Sequence, residues 1–111
     1  MPSLLSQQAL DTLFLQARTH NEWLDKPVDD ALLQRVWELA RMGPTSANCS
    51  PMRIVFVKTP EAKARLQPAL MESNRAKTLA APVTAIFGND SRFYDLLPKL
   101  FPHTDARAWF A

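Results

Sequence analysis

The stretch that decides how this chain is read is GPTSANCSPMRIVFV, Gly43 to Val57. An amphipathic helix runs into Gly43-Pro44, a short polar loop follows, and Pro51 leads into the apolar run Ile54-Val55-Phe56-Val57. Glycine just past a helix can take the left-handed conformation, and a proline after it prevents continuation. Thr45, Ser46, Asn48 and Ser50 then place short hydrogen-bonding side chains close together in the sequence. Such residues also dominate ordinary turns for purely local reasons. On a loop held between a helix end and a buried strand, however, hydroxyls and carboxamides are suited to gripping a polar ligand.

Outward from the loop, the N-terminal side carries two helical patterns. Ser3 can cap a first helix whose Leu10, Leu13, Phe14 and Ala17 recur at helical spacing, which predicts a helix to about Arg18 with one face buried. Arg18-Thr19-His20-Asn21 is polar and rich in donors. Asp29 is an N-cap candidate, with Val28 placed to staple onto Leu33. The second helix is expected from Asp30 to about Met42. Its Leu32, Leu33, Val36, Trp37, Leu39 and Ala40 form an apolar surface broad enough for burial on more than one side.

On the C-terminal side, Arg53 to Lys58 reads as a short buried strand. Thr59-Pro60-Glu61 is a helix start with cap, N1 proline and early acid, and Pro68 limits that helix. Within Met71 to Ala81, Asn74 and Lys77 fall one helical turn apart on a shared face, a pair that taken alone reads as solvated surface. Pro82 to Phe87 reads as a second buried strand ending at Gly88. Asn89 or Asp90 is expected to cap a last helix carrying Phe93, Tyr94, Leu97 and Leu100. The final Ala-Trp-Phe-Ala is apolar, and the chain reads as cut there.

Composition narrows the function classes. The chain has 111 residues, 47% of them hydrophobic and 22% charged, which suits one ordinary globular domain at most. Its net charge of +2 lacks the clustered basic face expected of a nucleic-acid binder. No apolar window is long enough for a membrane span, and no signal peptide is legible at the N-terminus. The single cysteine, Cys49, suits a reducing cytoplasm and reads as a small buried hydrophobe rather than a nucleophile. Cys49, His20 and His103 lack metal-site spacing, no Gly-rich phosphate loop is present, and Ser46 or Ser50 with His103 and Asp105 has no nucleophile elbow.

The order Pro44-Thr45-Ser46-Ala47-Asn48 followed by Pro51 and a strand resembles the P-S-S-x-N-x-x-P segment of the nitroreductase family. Ala17 to Trp23, Gly43 to Pro51 and Leu100 to Phe110 resemble its malonic semialdehyde reductase (3-hydroxypropionate dehydrogenase) branch in particular. The resemblance covers the whole chain, but such proteins run to nearly twice its length. It implies an α+β fold with helices around a central mixed sheet, of which residues 1–111 would be the N-terminal portion of a single domain. It also implies FMN bound at a homodimer interface and hydride transfer from NADH or NADPH to a small acceptor.

The resemblance gives individual residues roles. Arg18 stands where the family's first arginine meets the FMN phosphate, a task suited to a permanently charged fork of donors. His20 stands where that element usually has a serine, and Glu22 where it has a second basic residue, so phosphate neutralisation is expected partly from elsewhere. Asn74 and Lys77 would approach the flavin's pyrimidine edge, where a cation or amide donor favours the reduced anion. Thr45, Ser46 and Asn48 would reach the FMN of the neighbouring subunit. A contrasting expectation is a dimerising remnant without cofactor, because two strands alone make a marginal sheet.

Overall fold

The computed structural model describes residues 4–111. Ser3, expected to cap the first helix, lies outside the described residues. The cap that is described is Ser6, whose Oγ accepts from the amide of Ala9 at 3.1 Å at the start of α1 (Gln7–Leu10). The helix then widens over Asp11–Leu15, where the amide of Gln16 donates to the carbonyl of Asp11 at 2.8 Å. An i→i+5 closure takes one more residue per turn than an α-helix. The element therefore ends short of Arg18, and the expected apolar face loses its alignment. Leu13, Phe14 and Leu15 are exposed, so the predicted burial of this helix is not found within the chain.

The second helix, α2, spans Asp30–Ala40, two residues shorter than expected. Asp29 caps it as the sequence indicates, its carboxylate accepting from the amide of Leu32 at 2.7 Å. Only Leu33 is buried and Trp37 half-buried, while Leu32, Val36 and Leu39 face outward. Strand β1 (Met52–Val57) follows the polar loop and pairs antiparallel with β2 (Thr84–Asn89), Ile54 opposite Phe87 and Val55 opposite Ile86. The α2 face with Leu33 and Trp37 lies over Ile54 and Phe56 on one side of this two-stranded sheet. At the edge of that contact, Lys58 Nζ meets Asp30 Oδ1 at 2.8 Å. The second strand begins and ends two residues later than expected and is mostly exposed, a correction to its reading as buried.

Between the strands run α3 (Pro60–Leu66), capped by Thr59 onto the amide of Ala62, and α4 (Glu72–Ala80). Pro68 closes α3 inside a tighter turn over Gln67–Ala69. Lys63 of α3 is buried, and its ammonium donates to the carbonyls of Leu79, at 3.4 Å, and Ala81, at the end of α4. Past β2, Asp90 shapes a turn rather than capping a helix directly. It accepts from the amide of Arg92, and the chain continues as a tight turn over Phe93–Leu96 into α5 (Leu97–Leu100). A last turn covers Ala106–Trp109.

The largest connected core sits beneath the polar loop, not beside the sheet. Cys49, Leu97 and Ala106 are buried together, with Phe93, Tyr94 and Phe101 packed on them. This bears out the reading of Cys49 as a buried small hydrophobe. The radius of gyration is 18.2 Å, against about 13 Å for a compact chain of this length. Apolar faces on the widened turn Asp11–Leu15, on α2 and on the sheet thus remain uncovered within one chain. The architecture is α+β, as expected.

Gly43 departs from its expected role. No glycine has a positive φ, and a Cβ at Gly43 would meet only the carbonyl of Ala40, at 3.5 Å. Gly43→Ala is therefore expected to raise stability by about 0.5 kcal/mol by restricting the unfolded chain. Thermal melting of the variant checks this; a lowered midpoint would mean that the turn uses the glycine after all.

Candidate functional site

The left-handed conformations that Gly43 does not take are found inside the loop, at Ala47 (φ 50°), Asn48 (φ 54°) and Ser50 (φ 47°). For residues with a Cβ such geometry is held only where surroundings fix it. Here those surroundings are hydrogen bonds. The Thr45 hydroxyl accepts from the amide of Ser50 at 3.1 Å, and Asn48 Nδ2 donates to the carbonyl of Leu100 at 2.8 Å, tying the loop to the end of α5. Arg53 adds a third tie, donating to the carbonyls of Ser50 and Met52 and to Asp90 at 2.9–3.0 Å. Ser46 and its hydroxyl are exposed at the tip.

This rigid loop forms one wall of an open cavity of about 550 Å³, closed by the end of α2 and by Leu96 and Leu100. The size is that of small-molecule sites. Trp37 and Met42 contribute apolar surface, while Thr45, Asn48, Ser50 and Arg41 contribute polar groups. A second groove, about 480 Å³ between α2 and the sheet, is mainly apolar; Lys58 and Asp30 on its lining pair with each other.

The remaining sequence-derived candidates gather elsewhere. Trp23 Nε1 donates to the carbonyl of Lys77 at 3.0 Å, and Lys77 Nζ donates to Asn21 Oδ1 at 3.3 Å. These bonds join segments 54 and 56 residues apart in the chain. Asn21 and Trp23 thereby dock the end of the donor-rich Arg18-to-Trp23 segment on Lys77 of α4. Asn74 is half-buried one turn before Lys77, its carbonyl accepting from the hydroxyl of Thr78. Arg18 Nη1 donates to the carbonyls of Ala17, at 2.6 Å, and Leu15, at 3.5 Å, covering the end of the first helix. His20 is exposed on the same segment.

The candidates are not brought into one cluster: Asn74 and Lys77 lie on α4, Thr45, Ser46 and Asn48 on the loop, and Arg18 bonds only its own helix end, with His20 exposed beyond it. No hydrogen bond among the described residues joins the loop candidates to those on α4. Asn21, Trp23 and Arg41 were not singled out as ligands from the sequence, since their positions depend on contacts between distant segments.

The donors suit an anionic group. Among the described residues, neither Arg18 nor Lys77 pairs with a carboxylate, whereas Arg53, Lys58, Arg92 and Arg107 do. Lys77 faces only the neutral carboxamide of Asn21. A phosphate and an electron-rich ring edge are groups that such unneutralised cations can hold.

Residues 15–95 match the model of the nitroreductase family. The chain belongs to the nitroreductase family. The match takes in the docked segment, the polar loop, both strands and α4. A protein from Burkholderia lata, provisionally named an NADH dehydrogenase/NAD(P)H nitroreductase, is 69% identical over 107 residues. The aligned part covers 96% of this chain and 55% of that relative, so the chain spans about half the relative's length.

An ionic tie lies near the loop's supporting core. Asp95 meets Arg107 at 3.0 Å and Arg92 at 2.9 Å, joining the turn at Phe93–Leu96 to that at Ala106–Trp109. Desolvation pushes the Asp95 carboxyl up, but hydrogen bonds from Arg107 and Arg92 outweigh it and leave the pKa below the usual carboxylate value. The Arg92 guanidinium is raised in turn, chiefly by its hydrogen bond to Asp95. A lowered carboxyl pKa stabilises fully above the unfolded value and ceases to do so as pH falls through the folded one. Loosening of the last turn is therefore expected only below about pH 4. Trp109, stacked edge-on to Phe101 at 5.8 Å, supplies the fluorescence signal. Loss of that stacking near neutral pH would contradict the assignment to Asp95.

Proposed function

We propose that these 111 residues are the N-terminal portion of a single nitroreductase-like domain of an NAD(P)H-dependent, FMN-containing oxidoreductase. Bound FMN supplies hydride exchange between a reduced nicotinamide and a small acceptor that use the same slot in turn. The observation that carries the reading is the docking of the Arg18-to-Trp23 segment on Lys77, made by Trp23 and Asn21. It brings the segment that carries Arg18 and His20 to Lys77, one of the residues that the family resemblance directs toward the cofactor.

In this reading Arg18 holds phosphate, with His20 beside it. Asn74 and Lys77 present a donor and a cation to the pyrimidine edge, where negative charge accumulates on reduction. Thr45, Ser46 and Asn48 act from a second copy of the chain. The uncovered Leu32, Val36 and Leu39 of α2 support a homodimer. The protein's part is binding, orientation and electrostatics, and no side chain is required to donate a proton.

The acceptor we propose is malonic semialdehyde, reduced to 3-hydroxypropionate, on the resemblance of the Ala17–Trp23, Gly43–Pro51 and Leu100–Phe110 stretches to that branch. A cytoplasmic setting accords with a free Cys49. No helix among the described residues is long and apolar enough to cross a membrane. The test is the absorption spectrum of the purified protein before and after incubation with FMN. A retained flavin band at about 450 nm supports the oxidoreductase; protein that stays colourless after reconstitution identifies a dimerising remnant instead.

A further inference from the structure

Two arginines line the loop cavity, and they differ in what they are already doing. Arg53 is fully engaged, bonded to Asp90 and to the carbonyls of Ser50 and Met52. Arg41, the residue that ends α2, has neither an ion-pair partner nor a side-chain hydrogen bond among the described residues. Its neighbours on the cavity wall supply hydroxyls rather than carboxylates. The Thr45 hydroxyl, already accepting from the amide of Ser50, keeps its proton to donate. Trp37 and Leu100 add apolar surface beside these donors.

We infer that Arg41 is the anchor for a carboxylate carried by the small acceptor. The inference rests on the oxidoreductase reading and adds to it the residue that selects an acidic acceptor over a neutral one. An uncompensated guanidinium offers two parallel N–H donors that match the two oxygens of a carboxylate. The cavity's partly apolar lining strengthens that attraction relative to open water. A phosphate satisfies the same fork, so the cofactor's phosphate is the competing source of the anion.

The experiment uses malonate and inorganic phosphate as probes, with wild-type protein, Arg41→Gln and Arg41→Lys, read by titration calorimetry at fixed ionic strength. FMN content is measured on the same samples by absorbance. Malonate affinity is expected to fall about tenfold in Arg41→Gln, the effect of losing charge-assisted hydrogen bonds. Arg41→Lys is expected to fall between, because charge remains while the fork is lost, and FMN content should be the same in all three. Equal malonate affinity in wild type and Arg41→Gln, or no malonate binding to wild type, overturns the inference. Loss of FMN in parallel with Arg41→Gln also overturns it, by assigning the arginine to the cofactor phosphate. Arg41-dependent malonate binding by protein that takes up no FMN retains the anchor while rejecting the oxidoreductase reading.

Discussion

Lys77→Met is expected to weaken FMN binding about tenfold while leaving the fold unchanged. The ammonium is the one charged group on α4 that the docked segment contacts through a neutral partner, Asn21 Oδ1 at 3.3 Å. Removing a charge-assisted donor from a partly buried site typically costs about 1.5–3 kcal/mol, which is tenfold or more in affinity. Methionine retains most of the apolar stem. The Trp23 indole is also undisturbed, because it bonds the backbone carbonyl of residue 77 rather than its side chain. Quenching of FMN fluorescence on titration with wild-type and variant protein gives the ratio, and circular dichroism checks the fold. Equal affinities would remove Lys77 from the flavin site.

Lys63→Met is expected to act on stability instead. Lys63 is buried and bridges α3 to the C-terminal carbonyls of α4, at Leu79 and Ala81. Those carbonyls sit at the negative end of the helix, where a cation is favoured. The substitution leaves them without their donor, at a cost of about 1–3 kcal/mol. Against this stands the relief of no longer burying an ammonium. The direct bonds and the helix terminus should outweigh that relief, giving a net loss of about 2 kcal/mol. With a typical urea dependence, the unfolding midpoint drops by about 1 M. A variant as stable as wild type would mean that desolvation cancels the bonds.

How far the sequence could be read depended on the range of the interactions involved. Asp29, Thr59 and Pro68 act within a few residues of themselves, and the caps and stop that they announce are present. Both strands exist, because short β-branched and aromatic runs led by a proline and closed by a proline or a glycine have few other outcomes. The first helix failed as an amphipathic element because periodicity shows which residues share a face, not whether anything covers it. Its widened turn over Asp11–Leu15 then moved that face as well. The same limit applies to α2, where only Leu33 is buried although the pattern suggested a core helix.

For the candidate site, residue types were legible and partners were not. Cys49 was recognisable as buried, and the loop as polar and constrained. That Ala47, Asn48 and Ser50 rather than Gly43 would take positive φ follows from the ties to Leu100 and Arg53, which no local rule contains. Asn48 carries two demands at once, since its carboxamide holds α5 through one Nδ2 proton while Oδ1 and the second proton remain for a ligand. Arg41 and Arg53 flank the loop alike in sequence, and only the bonds to Asp90, Ser50 and Met52 tell the anchored arginine from the unpartnered one.

The central claim is that Lys77 and its docked segment hold FMN together with the polar loop of a second chain. Native mass spectrometry after incubation with FMN tests it most directly, because chain and cofactor stoichiometry are read from one spectrum. The account predicts a species of two chains carrying two FMN molecules, which separates into single chains and free FMN on denaturation. A spectrum of single chains without FMN, at concentrations where the protein remains folded, would contradict it.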